Sequence, residues 1–97
     1  MSKVARLGDA ISCGSFTAGG SPTVYANGMP ITTASTNPAT GHGDFKPTTL
    51  MGPYSSTVFV NNSPVALMGI TNITPHDNGV VAHGGTISSG SANVEIE

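Results

Sequence analysis

The chain has 97 residues, of which only 8% are charged, with three basic and five acidic side chains and a net charge of −2. Soluble domains average about 25% charged residues, so this surface is unusually neutral. Three basic residues cannot form the positive stripe that binds nucleic acid, and we expect no nucleic-acid partner. The length predicts a single domain over residues 1–97, with no appended effector or linker domain.

The N-terminal residues Met1–Arg6 lack the apolar stretch of a signal peptide. No segment approaches the ~20 apolar residues that span a bilayer as a helix. We therefore expect synthesis in the cytoplasm without a signal peptide, and export by another route if the protein leaves the cell. The single cysteine, Cys13, excludes an internal disulfide.

The sequence repeats itself. Segments 21–31 and 55–65 align without gaps, and residues 91–97 form a partial third copy, at offsets of 34 and 36 residues. Repeats at such periods indicate one supersecondary unit used several times. Val, Ile and Thr are plentiful, and Gly and Pro interrupt every helical pattern. These features predict an all-β, loop-rich fold.

Each repeat has the pattern of a β-hairpin. Alternating β-formers at Thr23–Ala26 lead into Asn27-Gly28, a pair typical of a two-residue type I′ turn. Asn61-Asn62 occupies the same place in the second repeat, and Asn tolerates positive φ better than most residues. The third repeat stops after its first strand, so we expect a partner strand from the N-terminal residues 4–7. Residues 34–53 and 68–90 are predicted to be long connections.

The first strand of each repeat has an apolar face, and these faces should meet in a small core. Its members are Val24, Ala26, Val58, Val60, Val94 and Ile96. Tyr25 and Phe59 lie on the opposite face. They are candidates for a partner-binding surface, and the alternative is that each covers its own hairpin.

A candidate metal site is formed by the single cysteine of the chain, Cys13, and its three histidines, His42, His76 and His83. Zinc accepts four thiolate or imidazole ligands in a tetrahedral structural site, and iron takes the same donors. The spacing contains no Cys-x-x-Cys or His-x-x-x-His pair. However, Cys13 and His83 each stand eight residues before the start of a repeat. A pseudo-symmetric fold would bring such equivalent positions together near its axis, which favours a shared site.

Two acidic residues lie close to these histidines in the sequence. Asp44 and Asp77 are either acceptors that orient ligand imidazoles or simple turn formers. Glycines beside Cys13, His42 and His83 would let loops turn sharply at a ligand.

Several segments resemble the PAAR-repeat family: Ala5–Asp9, Ser12–Gly14, Gly20–Pro30, Gly84–Ile87 and Gly90–Val94. Together they extend the resemblance over essentially the whole chain. The Pro-Ala-Ala-Arg tetrapeptide that names the family is absent from the repeats.

The resemblance implies a compact cone, or pyramid, of three quasi-repeated β-hairpin units closed by a metal at the apex. It implies zinc held by Cys13, His42, His76 and His83, with iron as a possible substitute. It also implies that one copy caps a homotrimeric β-helical spike in a phage baseplate or a type VI secretion system. Such a tip would be assembled on a virion tail or secretion spike, delivered outside the cell, and help to pierce the target envelope.

Two other functions remain open at the level of sequence: a small zinc-dependent hydrolase with an open metal position, and an adaptor that docks an effector to a scaffold. We expect no enzyme, because the chain has no Gly-x-Ser-x-Gly motif and little room for a substrate pocket. Four protein ligands would also leave no position for a catalytic water.

Overall fold

A computed structural model describes residues 2–96, and within them every regular element is a β-strand. The strands are β1 Ser2–Lys3, β2 Tyr25–Ala26, β3 Met29–Pro30, β4 Pro38–Ala39, β5 Thr48–Gly52, β6 Phe59–Val60, β7 Ser63–Pro64, β8 Asn72–Ile73, β9 His76–Asp77, β10 Ala82–His83 and β11 Glu95–Ile96. The predicted all-β, loop-rich class is therefore confirmed. The described residues include no helix able to span a membrane.

The repeats form antiparallel strand pairs in the same register. Tyr25 of β2 pairs with Pro30 of β3, and Phe59 of β6 pairs with Pro64 of β7. In the third unit, β11 pairs with the N-terminal β1, where Lys3 faces Glu95. The expected N-terminal partner is thus confirmed, although its strand lies at Ser2–Lys3, just before the predicted residues.

Both complete hairpins turn as predicted. Asn27 and Gly28 have φ values of 53° and 78°, and Asn61 and Asn62 have 52° and 65°. Positive φ at both central residues defines the type I′ turn, whose twist matches that of the flanking strands. The two repeats therefore form the same type of turn with different residues.

A buried serine opens each unit and caps it in the same way. The backbone N–H groups of Val24, Val58 and Val94 donate to the Oγ atoms of Ser21, Ser55 and Ser91, at 3.0, 2.9 and 3.0 Å. The serines also link neighbouring units: Ser21 Oγ donates to Asn61 Oδ1 at 2.7 Å, and Ser91 Oγ donates to Asn27 Oδ1. The turn asparagine of one unit is thus fixed by the serine of another.

A closed ring of backbone hydrogen bonds joins the units. The N–H of Ala5 donates to the carbonyl of Ala66 at 3.0 Å, and the N–H of Ala66 donates to the carbonyl of Thr32 at 2.9 Å. The N–H of Thr32 donates to the carbonyl of Ala5 at 3.0 Å, which closes the ring. All three residues are fully buried. Each unit gives one donor and one acceptor, so the ring satisfies backbone groups that would otherwise be costly to bury.

The buried apolar residues form two clusters. The first comprises Val4, Ala26, Ile31, Val60 and Val65, with Val58, Val94 and Ile96 against it. The predicted hairpin faces are therefore confirmed except at Val24, which is 37% exposed. The second cluster comprises Ala5, Ile11, Ala39, Leu50, Ala66, Ile73 and Ile87, and Cys13 packs against it.

The long connections contain strands that the sequence interpretation missed. Strands β4, β5 and β8 form a three-stranded sheet inside segments 34–53 and 68–90, and β9 pairs with β10. The described chain measures 37 × 23 × 23 Å along its principal axes. Cys13 packs against the second apolar cluster, whereas the hairpin strands contribute to the first.

Candidate metal centre

Four segments distant in sequence carry the candidate ligands. Cys13 lies in a turn closed by the N–H of Gly14 donating to the carbonyl of Ile11 at 2.9 Å. His42 begins a tight turn in which its N–H and carbonyl both bond to Phe45. His76 and His83 face each other across β9 and β10.

The four side chains converge on one point. One donor atom from each of Cys13, His42, His76 and His83 lies within 4.8 Å of all the others. The His83 Nε2 atom is 2.9 Å from the Nε2 atoms of both His42 and His76, and Cys13 Sγ is 3.9 Å from His76 Nε2. The sequence predicted this set, and the fold brings all four members together.

These separations suit a tetrahedral ion. With Zn–N bonds of about 2.0–2.1 Å and a Zn–S bond of about 2.3 Å, tetrahedral angles place two nitrogens about 3.3 Å apart and sulfur about 3.6 Å from nitrogen. The three spacings given above differ from these values by a few tenths of an ångström, whereas the separations within the whole group extend to 4.8 Å, so a bound ion would draw the donors closer together. The cluster could therefore hold a metal ion, and its donor chemistry is compatible with zinc.

A backbone carbonyl orients His76. The Nδ1 atom of His76 lies 2.7 Å from the carbonyl oxygen of Lys46, which can only accept a hydrogen bond. Nδ1 must therefore carry the proton, and the lone pair of Nε2 is left free for a metal. His76 is also the buried histidine of the group, so its ring is the most firmly placed.

Phe45 packs against the imidazoles. Its ring centroid lies 4.0 Å from that of His83 and 5.0 Å from that of His42, both nearly parallel at 26°. Such stacking restricts the rotation of both histidines before a metal arrives. The sequence interpretation missed Phe45, although its position three residues after His42 is a signal that could have suggested a shared turn.

The pKa of His83 is lowered below its ordinary value. The largest cause is desolvation, followed by the charge on His76 and then by the charge on His42. A metal ligand must be the neutral imidazole, so this shift favours the binding form. Because the pKa of His83 is lowered, protonation that would compete with metal binding requires a lower pH than for an ordinary histidine.

Glycines around the site have the predicted role of permitting close turns. Gly14 and Gly43 adopt φ values of 107° and 53°, which side chains with a Cβ rarely adopt. Gly85 allows close packing instead, because a Cβ there would lie 3.0 Å from Cys13 Sγ. A Cβ at Gly41 would collide with the carbonyl oxygen of Phe45.

Asp77 acts as a turn former. Its Oδ1 accepts the N–H of Gly79 at 3.1 Å and lies 3.8 Å from Lys46 Nζ. The acceptor that orients His76 is the Lys46 carbonyl, a group that no side-chain motif reveals.

Tyr25 and Phe59 lie on the hairpins, apart from the metal cluster. Both residues are more than half exposed, at 55% and 56%, so each has surface available to a partner. Their use as a partner-binding surface stays a prediction.

Comparison with protein-family models, with curated proteins and with solved structures found no match to this chain. The function is therefore inferred from the residues and their geometry.

Proposed function

We propose that this chain is a structural tip protein that caps the blunt end of a trimeric β-helical spike in a contractile injection machine. The machine is a phage tail or a type VI secretion system, as the resemblance to the PAAR-repeat family implies. The observation that carries the proposal is the cyclic ring through Ala5, Thr32 and Ala66, with equivalent hairpins around it.

Three quasi-equivalent units in one chain could match the threefold symmetry of a trimeric spike. A trimeric β-helix presents three equivalent strand ends around an apolar lumen, and these unpaired edges must be covered. A monomer with three quasi-equivalent hairpins can pair with all three ends at once. The first apolar cluster, centred on Val4, Ile31 and Val65, would then extend the apolar interior of the spike.

In this proposal the metal cluster has a mechanical role and closes the apex of the cone. If all four donors bound one ion, they would fill a tetrahedral coordination shell and leave no position for a substrate or a catalytic water. Zinc there would act as a clamp between distant loops, with iron as a substitute for the same donors. Structural zinc contributes on the order of 10 kcal/mol to folding, comparable to the whole stability of a small domain.

The resulting mechanism is simple. Contraction of a sheath drives the spike forward, and a narrow, rigid tip lowers the force needed to puncture the envelope of the target cell. Tyr25 and Phe59 are the proposed contacts with the spike, since both are large, exposed and carried by equivalent positions of two hairpins.

The direct test is a binding measurement with purified trimeric β-helical spike proteins. Native mass spectrometry should detect one copy of this chain per spike trimer. The double variant Tyr25→Ser with Phe59→Ser should weaken the complex and retain its metal. Val80→Ser, an exposed apolar residue outside the hairpins, serves as a matched control and should bind normally.

Two results would overturn the proposal. One is a failure to bind any spike from phage tails or type VI secretion systems. The other is preferential binding to a non-spike effector, which would favour the adaptor function.

A further inference from the structure

Two Asn-Gly pairs occur in the chain, at 27–28 and at 78–79. In such a pair the backbone nitrogen of the glycine can attack the Cγ atom of the asparagine, because glycine has no Cβ to shield that nitrogen. The product is a five-membered succinimide ring, and ammonia is lost. Neither asparagine is buried, so their hydrogen bonds, rather than their exposure, distinguish the two pairs.

The turn between β9 and β10 presents Asn78 and Gly79 in a form suited to this attack. Asp77 Oδ1 accepts the N–H of Gly79 at 3.1 Å, so a carboxylate is in place to take the proton of the attacking nitrogen. The N–H groups of Val80 and Val81 donate to Asn78 Oδ1 at 2.9 and 3.0 Å, where negative charge develops as the ring closes. Each bond is ordinary for an Asx turn, and the Asn-Gly pair at their centre gives them a chemical consequence.

The pair at Asn27 and Gly28 is held against the same reaction. Asn27 has a φ of 53° in its type I′ turn, and ring closure would move the backbone out of this left-handed conformation. Its Nδ2 donates to Asn93 Oδ1 at 2.6 Å, and its Oδ1 accepts the hydroxyl of Ser91. The Asn27 amide must therefore release the third repeat before its Cγ can turn toward Gly28.

We infer that Asn78 is a site of spontaneous deamidation, whereas Asn27 is protected by the fold. A bond forms between Gly79 N and Asn78 Cγ, and the bond between Cγ and Nδ2 breaks. The proton on Gly79 N passes through the Asp77 carboxylate to Nδ2, which leaves as ammonia. Water then opens the ring at either carbonyl and gives aspartate or isoaspartate.

The modified residue lies between two of the candidate metal ligands. His76 and His83 pair across β9 and β10, and residue 78 is in the turn that joins these strands. Both products add one negative charge next to Asp77. Isoaspartate also lengthens the main chain of the turn by one carbon atom. Deamidation is therefore a slow, irreversible change in the segment that connects these two ligands.

Peptide mapping by mass spectrometry compares the two pairs within one chain. The wild type is incubated at neutral pH in water enriched in heavy oxygen, which labels only the products formed during the incubation. Fragmentation by electron transfer distinguishes aspartate from isoaspartate. In the folded protein we expect conversion at Asn78 at least tenfold faster than at Asn27, because Asn27 must break two hydrogen bonds, each worth roughly fivefold in rate. In urea, where both turns are open, the two rates should become similar.

Two variants test the groups that set these rates. Asn93→Ala frees Nδ2 of Asn27 and should speed conversion there roughly fivefold, with no change at Asn78. Asp77→Ala removes the acceptor of the Gly79 N–H and should slow conversion at Asn78 at least tenfold. The rate at Asn27 in the same chain reports on the fold, because unfolding would raise it.

Conversion of Asn27 as fast as that of Asn78 in the folded wild type would overturn the inference. Aspartate without isoaspartate at position 78 would also overturn it, since direct hydrolysis of the amide gives only aspartate. An unchanged rate at Asn78 in Asp77→Ala would contradict the proposed path of the proton. Neither a bound metal nor spike docking is needed for this reaction, so its test is independent of the proposed function.

Discussion

Gly85 separates Ile11 from the thiol of Cys13, and this small gap gives a test of the site. A Cβ at position 85 would lie 2.9 Å from Ile11 Cγ2 and 3.0 Å from Cys13 Sγ. We expect Gly85→Ala to displace the thiol, weaken zinc binding and lower the free energy of unfolding by about 1–3 kcal/mol. Competition with a chelator measures the affinity, and urea unfolding measures the stability.

The neighbouring glycine supplies the control. A Cβ at Gly84 would meet nothing within 4 Å, so Gly84→Ala should change stability by no more than about 0.5 kcal/mol. Equal effects of the two alanines would show that Gly85 contributes only through its backbone freedom.

The ligand residues could be predicted from the sequence, but the groups that orient them could not. Cys13 and the histidines were identifiable because few side chains bind zinc and because Cys13 and His83 hold equivalent repeat positions. Lys46 acts through its backbone carbonyl, which every residue possesses. Phe45 acts through ring stacking that exists only after the turn at His42 has formed.

The two complete hairpins test turn chemistry within one molecule. Asn62 has a φ of 65°, whereas its counterpart in the first hairpin is Gly28 with 78°. Glycine adopts this conformation without the steric cost that a Cβ brings, so we expect Asn62→Gly to stabilise the protein by about 0.5 kcal/mol. Asn62→Ala should destabilise it by about 1 kcal/mol, since alanine tolerates positive φ less well than asparagine.

Thermal unfolding of the metal-loaded variants measures both changes. Gly28→Ala in the first hairpin is the matched comparison and should destabilise the protein more than Asn62→Ala does, by about 1.5 kcal/mol, because it replaces the residue best suited to positive φ. Destabilisation by Asn62→Gly would contradict the account of this turn.

Hairpins could be predicted because their signals are local, whereas the strands of the long connections could not. The dipeptides at 27–28 and 61–62 specify a turn by themselves. Strand β5, Thr48–Gly52, is defined by pairing with β4 on one side and with β8 on the other. Most of the remaining strands have two residues, too few for an alternating pattern to be recognised.

Two sets of contacts between parts of the chain far apart in sequence close the fold. In the interior, the backbone ring through Ala5, Thr32 and Ala66 joins the three units. At the candidate metal centre, four donors from four segments meet within 4.8 Å. The repeats predicted the first closure in outline, and the ligand types predicted the second. The backbone ring itself has no sequence signature, because it uses only N–H and C=O groups.

The proposed metal is the central claim, because it would hold four distant segments of a small, loop-rich chain together. Elemental mass spectrometry combined with thermal unfolding, on the wild type and on His42→Ala, tests it most directly. We predict one zinc per wild-type chain, and in the variant a loss of zinc with a sharp fall in the unfolding temperature. A folded wild type without metal, or His42→Ala with full zinc occupancy, would contradict the account.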